Sequence, residues 1–154
     1  MNKPILLALF CLLGSIAAFA QSKFASPELL YTRLQKLSGA NAINCGAVDL
    51  KQPSDQATDC AQKAFAANKP FYVSYFVQGK DSQVASALAY NGSKLSALEF
   101  DSMGWDSVGL KKGDHLTDDG HIMIEPCPRP YAIHKEQSGR LTCLPSPSST
   151  AATP

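Results

Sequence analysis

The sequence predicts an α+β fold, with two N-terminal helices packed on one face of a mostly antiparallel sheet of about five to six strands, held by two disulfides. Three observations lead to this prediction. Apolar residues recur at helical spacing in two segments, residues 30–37 and 57–65, they alternate in the manner of strands from residue 71 to residue 101, and four cysteines follow the N-terminal apolar segment. Helices followed by a run of strands are typical of α+β domains. An all-β sandwich is the lesser alternative.

The first twenty residues have the pattern of a cleavable secretory signal peptide. Lys3 supplies a positive charge, and the segment from Ile5 to Ala20 carries none. Ala18 and Ala20 are the small residues that a signal peptidase reads, so we expect cleavage before Gln21. The alternative is a membrane anchor, but a span needs about 20 strongly apolar residues and this run is diluted by glycine and serine. We therefore expect an exported protein, periplasmic or secreted, without stable membrane insertion after cleavage.

The first predicted helix follows the signal peptide and ends at Gly39. Ser26 is a favourable N-cap, Pro27 suits the first turn, and a glycine at position 39 favours a C-terminal cap. The leucines of this segment share one face, as in a buried stripe. They are Leu30, Leu34 and Leu37.

The second predicted helix begins near Ser54 and ends before Asn68 and Pro70. Its small and apolar residues recur at helical spacing. They are Ala57, Cys60, Ala61, Ala64 and Phe65. Cys60 therefore lies on the buried face and is directed toward the preceding loop, which carries Cys45.

Three strands of a meander follow the helices. Residues 71–77 alternate and are rich in β-branched and aromatic types, and residues 84–90 and 95–101 continue the pattern. Asn91-Gly92 is a strong hairpin signal, and although Ser93 completes a glycosylation sequon, the turn accounts for this tripeptide better. One face of the middle strand is lined with alanine, so we expect a helix to approach it closely. These alanines are Ala85, Ala87 and Ala89.

The pattern breaks between Asp101 and Gly120, which we interpret as a long irregular loop. Residues 121–125 resume a strand, and residues 131–134 and 140–144 form a predicted closing hairpin. From Pro145 onward the chain consists of Pro, Ser, Thr and Ala, a composition that cannot bury enough apolar surface to order itself. The sequence thus predicts a signal peptide at 1–20, one α+β domain at 21–144 and a disordered tail at 145–154.

The four cysteines that remain after cleavage predict two disulfides. Cys11 leaves with the signal peptide, and an even number of cysteines in an exported chain is typical of a disulfide framework. Three pairings are possible, and the spacing favours the two local ones, Cys45 with Cys60 and Cys127 with Cys143. A zinc site would need ligands about two to four residues apart, and no two of these cysteines are that close.

The charge balance argues against two classes of partner. Removal of Lys3 from the 14 basic residues leaves 13, which equals the 13 acidic residues. A protein that binds nucleic acid normally carries a basic excess, and a protein of the membrane surface carries a basic amphipathic helix. We therefore expect no nucleic-acid partner.

A metal site has weak support in the irregular loop. His115, His121 and Asp118 are ligand types in one segment. An EF-hand register would place Leu116 and Asp119 at positions that require a ligand and a glycine, so a calcium loop does not fit. The two histidines are six residues apart and do not share a helix face, unlike the ligands of the HExxH motif. A solvated loop explains this segment better, and we expect no cofactor.

Catalytic signals are equally sparse. The chain has no G-x-S-x-G elbow, and its cysteines are expected to be oxidised. Glu99 and Asp101 point the same way on one predicted strand and could form a carboxylate pair, although an exposed strand face explains them at least as well. Trp105 is the only tryptophan and lies in a loop, where aromatic residues often anchor interfaces. Its alternative role is to fill the core beneath that loop.

Three functions stay open from the sequence. The leading one is a non-enzymatic, disulfide-stabilised binding module of the bacterial envelope or secretome, such as an inhibitor, an immunity-type protein or an adaptor. The second is a metal-dependent hydrolase that uses His115 and His121. The third is a structural or assembly component that joins another chain by pairing of strand edges.

Overall fold

The computed structural model of the chain describes residues 25–105, 114–117 and 119–143. The predicted signal peptide at 1–20 and the predicted tail at 145–154 lie outside these residues. Within the described ranges, no helix has both the length and the apolar character that a membrane crossing requires.

The described residues form two helices and eight strands. In chain order they are α1 (Pro27–Ser38), β1 (Ile43–Asp49), α2 (Asp55–Ala66), β2 (Phe71–Gln78), β3 (Gln83–Tyr90), β4 (Leu95–Asp101), β5 (His115–Leu116), β6 (Ile122–Pro126), β7 (His134–Lys135) and β8 (Leu141–Thr142). The three strands of the predicted meander are found as β2, β3 and β4.

The caps of α1 are those that the sequence predicts. The backbone N–H of Glu28 donates to Ser26 Oγ at 3.3 Å, and the N–H of Gly39 donates to the carbonyl of Gln35 at 2.9 Å. Ser54 stands at the N-cap of α2 but makes no capping hydrogen bond with its side chain, which packs against Gly139 instead.

Six strands form one mixed sheet in the order β1-β2-β3-β4-β6-β5. β1 runs parallel to β2, and the other neighbours are antiparallel. The prediction of a mostly antiparallel sheet was wrong because Cys45, expected in a loop, lies in the strand β1, which pairs in parallel with β2. A parallel pair needs a crossover, and α2 supplies it.

The two helices lie on opposite faces of this sheet, so the prediction that both precede the strands and share one face was wrong. β1 stands between them in the chain, and α2 crosses over the face that carries Val73, Tyr75 and Leu88. α1 covers the other face. There Leu30 and Leu34 pack in one buried cluster with the alanines of β3 and with larger residues of β2, β4 and β6, namely Tyr72, Leu98, Phe100 and Ile122.

A small C-terminal hairpin covers part of the α2 face. β7 and β8 form a separate two-stranded sheet around the turn at residues 136–140. We call residues 134–142 the C-terminal hairpin. Thr58 Oγ1 donates to the carbonyl of Gly139 at 2.7 Å and lies 3.2 Å from the hydroxyl of Tyr75. Lys135 Nζ bonds Asp55 at 2.8 Å. These contacts fasten the hairpin to α2.

Two disulfides hold the α2 side of the molecule. They join Cys45 to Cys60 and Cys127 to Cys143, the local pairs that the spacing favours. The first ties β1 to α2, and the second ties the chain after β6 to the end of the C-terminal hairpin. Such bridges indicate an oxidising compartment.

Candidate functional site

A groove of about 450 Å³ runs along β1 and the start of α2. Its walls are the backbone and side chains of β1, the loop that follows and the first turn of the helix. The lining residues are Asn44, Cys45, Gly46, Ala47, Val48, Asp49, Gln52, Pro53, Ser54, Gln56, Ala57 and Cys60. We call this the β1 groove.

The shape of β1 follows from its small polar residues. Asn44 Oδ1 accepts a hydrogen bond from the N–H of Gly46 at 2.9 Å, and Gly46 has a φ of 102°, which side chains rarely adopt. The pairing with β2 shifts between Asn44 and Ala47 and is regular from Ala47 to Asp49. The first half of β1 is thus an irregular edge, and the second half is a straight one.

The straight half of β1 has backbone groups on its open side, away from β2, and its residues line the groove. The N–H of Leu50 donates to the carbonyl of Phe76 on β2 at 3.0 Å. Neighbouring residues of a parallel strand direct their backbone groups to opposite sides, so Ala47 and Asp49 direct theirs away from β2. β1 is an edge of the sheet in the part of the chain that the structure describes, and both residues are exposed.

The lining of the groove is polar and nearly neutral. Asn44, Gln52 and Gln56 contribute side-chain amides, each able to donate and accept. Among the described residues that line the groove, Asp49 is the one that is charged, and its Oδ1 accepts from the N–H of Lys51 at 2.9 Å. Such a surface can bond the backbone amides of another chain.

A second polar cluster lies between the C-terminal hairpin and the sheet. Arg140 donates two hydrogen bonds of 2.9 Å to the carboxylate of Glu136 and one of 3.2 Å to Ser86 Oγ on β3. Glu99 on β4 is the cross-strand neighbour of Ser86, and Glu125 lies on β6. We call these five residues the Arg140 cluster.

Glu99 is the perturbed group of the Arg140 cluster. Burial raises the pKa of Glu99 from 4.5 to about 7, Arg140 opposes the increase, and Glu125 and Glu136 add to it. The main cause is that burial disfavours the charged carboxylate, and the two neighbouring carboxylates add a smaller repulsion. A raised pKa of this size keeps part of the Glu99 carboxyl group protonated near pH 7.

The structure does not gather the predicted metal ligands. His115 is exposed on β5, while Nδ1 of His121 lies 3.0 Å from the carbonyl oxygen of Asp101. Asp118 lies outside the described residues. Among the residues that the structure describes, no three His, Cys, Asp or Glu side chains are grouped in a way that could hold a metal ion.

Trp105 occupies an intermediate position. Its backbone N–H donates to the carbonyl of Gly120 at 2.7 Å, and its side chain is half-buried. Its Nε1 is buried and has no hydrogen-bond partner among the described residues. Trp105 also belongs to neither buried cluster. Its assignment as a partner contact stays a prediction.

Glu99 and Asp101, considered from the sequence as a carboxylate pair, have different partners in the structure. Asp101 Oδ1 accepts from the N–H of Met103 at 2.8 Å and shapes a turn, whereas Glu99 joins the Arg140 cluster. Sequence reasoning missed Arg140 and Glu136 because they arrive from a hairpin about forty residues later in the chain. The sequence signal available for this pair is the spacing of four residues between a glutamate and an arginine across a predicted turn.

Comparison with models of protein families, with curated proteins and with solved structures finds no match to this chain. The function must therefore be argued from the two sites themselves.

Proposed function

We propose that this chain is an exported, disulfide-stabilised binding module of the bacterial envelope or secretome, and that it binds an extended segment of a partner protein in the β1 groove. The observation that carries the proposal is the exposed straight half of β1 beside a groove of about 450 Å³. An extended segment that pairs with a sheet edge gains main-chain hydrogen bonds, and neighbouring pockets select its side chains. Inhibitors, immunity-type proteins and adaptors all act through surfaces of this kind.

The wall of the groove supports this use because it is held in place. The Cys45–Cys60 bridge joins β1 to α2, so the groove cannot widen by separation of the strand from the helix. A preformed site loses less conformational entropy when it binds.

The charge of the lining favours a neutral or basic segment. Asp49 would repel an acidic chain, while the amides of Asn44, Gln52 and Gln56 bond neutral backbone and side-chain groups. We therefore expect the partner segment to contain few carboxylates near its centre.

The alternatives have less support. A metal-dependent hydrolase gains none from His115 and His121, which join no ligand group among the described residues. A structural component would use the same edge of β1 to pair with a second copy. That regular edge is equally short for both uses, but self-pairing makes no use of the side-chain lining of the groove.

The test is a selection of displayed random peptides on the oxidised protein, followed by amide hydrogen exchange with the selected peptide. We expect protection of the amides of Ala47 and Asp49. Gln56→Arg should weaken binding at least about fivefold because it places a long side chain in the groove, whereas Gln62→Arg on the same helix, outside the lining, should not. The proposal would be overturned if the selected peptides protect the amides of a different surface, or if Gln56→Arg leaves their affinity unchanged. Elution size that grows with concentration would favour self-pairing instead.

A further inference from the structure

We propose that the Cys45–Cys60 bridge is a redox switch of the β1 groove: a dithiol reductant opens this bridge ahead of Cys127–Cys143, and its opening loosens one wall of the groove. The proposal stands on the place of the bridge. It joins β1 to α2, and both of its cysteines line the groove. The lining, as the described residues form it, includes neither Cys127 nor Cys143. One bridge thus belongs to the candidate site and the other does not.

The two bridges also differ in the access that they give to a reductant. Cys127 and Cys143 are both buried, with 7% and 3% of their surface exposed. Cys45 is buried as well, but its partner Cys60 is only partly buried and borders the open groove. Thiol–disulfide exchange requires a thiolate to reach a sulfur atom, and exposed disulfides are the labile ones. Cys60 is therefore the sulfur that a reductant reaches first.

The reduction is an ordinary thiol–disulfide exchange. A thiolate of the dithiol attacks Sγ of Cys60, the bond between the two cysteines breaks, and Cys45 leaves as a thiolate that takes up a proton. The second thiol of the reductant then loses its proton, attacks the reductant's own sulfur in the mixed disulfide and releases Cys60 as a thiol. Two electrons pass to the bridge, and the dithiol becomes a disulfide. The class of partner that supplies such a dithiol is an oxidoreductase with two active-site thiols.

Opening of the bridge frees the irregular half of β1. The register between β1 and β2 shifts between Asn44 and Ala47, and it assigns Cys45 and Gly46 no partner on β2. The bridge is therefore a covalent restraint on a stretch that the sheet holds weakly. Without it, Cys45 and Gly46 regain conformational freedom at the place where they line the groove.

The opposite wall stays in place after reduction. The buried alanines of α2 pack in one cluster with residues of β2, and Thr58 donates to the carbonyl of Gly139 in the C-terminal hairpin. Reduction therefore loosens the strand and not the helix. A site that loses its preformed shape binds more weakly, because it must be ordered again on binding. This last consequence, unlike the preferential reduction, rests on the proposed function.

The first experiment needs no peptide. The oxidised protein is incubated with dithiothreitol, free thiols are trapped with iodoacetamide at successive times, and the alkylated cysteines are mapped by mass spectrometry. We expect Cys45 and Cys60 to be alkylated at least about tenfold faster than Cys127 and Cys143. Equal rates for the two pairs, or faster reaction of Cys127 and Cys143, would overturn the proposal.

Amide exchange then shows where the reduction acts. The N–H of Ile43, two residues before Cys45, donates to the carbonyl of Pro70 at 2.9 Å, so its exchange reports opening of this half of β1. Oxidised protein and protein reduced at Cys45–Cys60 alone are compared at denaturant concentrations that give equal exchange in β3. At this matched global stability, Ile43 should exchange at least about fivefold faster in the reduced protein. Equal exchange of Ile43 would contradict the loosening of the wall.

The selected peptide tests the consequence for binding. Its affinity for the wild type should fall at least about threefold when Cys45–Cys60 is reduced. The control carries Cys45→Ala and Cys60→Ala together, and it should bind as weakly as the reduced wild type, with or without dithiothreitol. An unchanged affinity of the reduced wild type, or an equal fall in the control, would overturn the switch. If no peptide is selected while Cys45–Cys60 is reduced first and Ile43 exchanges faster, the proposed function fails and the redox response of β1 stands.

Discussion

Thr58 and Gly139, 81 residues apart in the chain, are joined by a hydrogen bond of 2.7 Å from the Thr58 hydroxyl to the Gly139 carbonyl. The same hydroxyl lies 3.2 Å from that of Tyr75, and Thr58 is fully buried. The start of α2, the centre of β2 and the turn of the C-terminal hairpin therefore meet in one polar contact inside an apolar cluster. Buried polar groups of this kind are costly when they lose a partner.

Thr58→Val tests this contact. The substitution keeps the shape of the side chain but leaves the Gly139 carbonyl without its donor, so we expect the free energy of unfolding to fall by about 1–3 kcal/mol. Thr32→Val is the matched control, because Thr32 donates to the carbonyl of Glu28 on an exposed face of α1. Its effect should stay within about 0.5 kcal/mol. Denaturant midpoints of both variants make the comparison, and equal effects would contradict the anchoring role of Thr58.

The position of Gly139 leaves no room for a side chain. A Cβ at this position would lie 1.9 Å from Ser54 Oγ, and its φ is 85°. Gly39 has a φ of 92° and a ψ of 162°, and no atom of the described residues lies within 4 Å of such a Cβ. Gly39→Ala should therefore cost about 1–3 kcal/mol for the backbone alone, while Gly139→Ala should cost clearly more because its Cβ also meets Ser54. Thermal unfolding measures both, and addition of Ser54→Ala to Gly139→Ala should recover part of the difference.

The sequence predicts much of this fold where pattern and contact are local. The alternation of β2 to β4 and the caps of α1 are found as expected, and the alanine face of β3 does receive a helix. β1 was missed because Asn44, Gly46 and Asp49 are poor strand formers, and edge pairing with β2 compensates for them. The parallel pair β1–β2 requires α2 to cross over one face of the sheet. Because β1 was not predicted, both helices were expected on the same face.

The candidate sites were less predictable for the same reason. The β1 groove depends on a strand that the pattern did not indicate, and the Arg140 cluster joins residues from β3, β4, β6 and the C-terminal hairpin. Glu99 is a charged residue on a strand, and its neighbours in the sequence do not show that Arg140 and Glu136 lie close to it. Local spacing carries no information about such a neighbour.

The packing of α1 on the alanine face can be tested by enlarging one alanine. Ala87 is 3% exposed beneath α1, so Ala87→Leu adds atoms where there is no room for them. We expect a loss of about 1–3 kcal/mol in unfolding free energy. Ala66→Leu at the exposed end of α2 adds the same atoms and should change stability by less than about 0.5 kcal/mol. A neutral Ala87→Leu in denaturant titrations would show that α1 does not pack closely there.

Glu99 makes the stability of the protein depend on pH. Its pKa is about 7 in the folded chain against an ordinary value of 4.5, so between these values the folded chain holds more protons than the unfolded one. The free energy of unfolding should therefore fall as the pH rises from 4.5 to 7. Above pH 7, Glu99 should cause no further decrease. The fall should reach about 2–3 kcal/mol at most. Urea titrations across this range should show it in wild type and not in Glu99→Gln; parallel curves would contradict the assignment.

The two disulfides offer a matched pair of variants. Mass mapping of the oxidised protein should recover the pairs Cys45–Cys60 and Cys127–Cys143, which close loops with separations of 15 and 16 residues. Replacement of both cysteines of either pair by alanine should cost about 3 kcal/mol, because loops of similar length constrain the unfolded chain equally.

The two pairs should differ in what they do to the β1 groove. Only Cys45–Cys60 ties β1 to α2, so its removal should speed amide exchange at Ala47 and Asp49 well beyond the effect of the lost stability. Removal of Cys127–Cys143 should change exchange at these two amides only as far as global unfolding does. Hydrogen exchange at equal residual stability, adjusted with denaturant, separates the two effects. Equal exchange of the β1 amides in both variants would mean that pairing with β2, rather than the bridge, holds this wall of the groove.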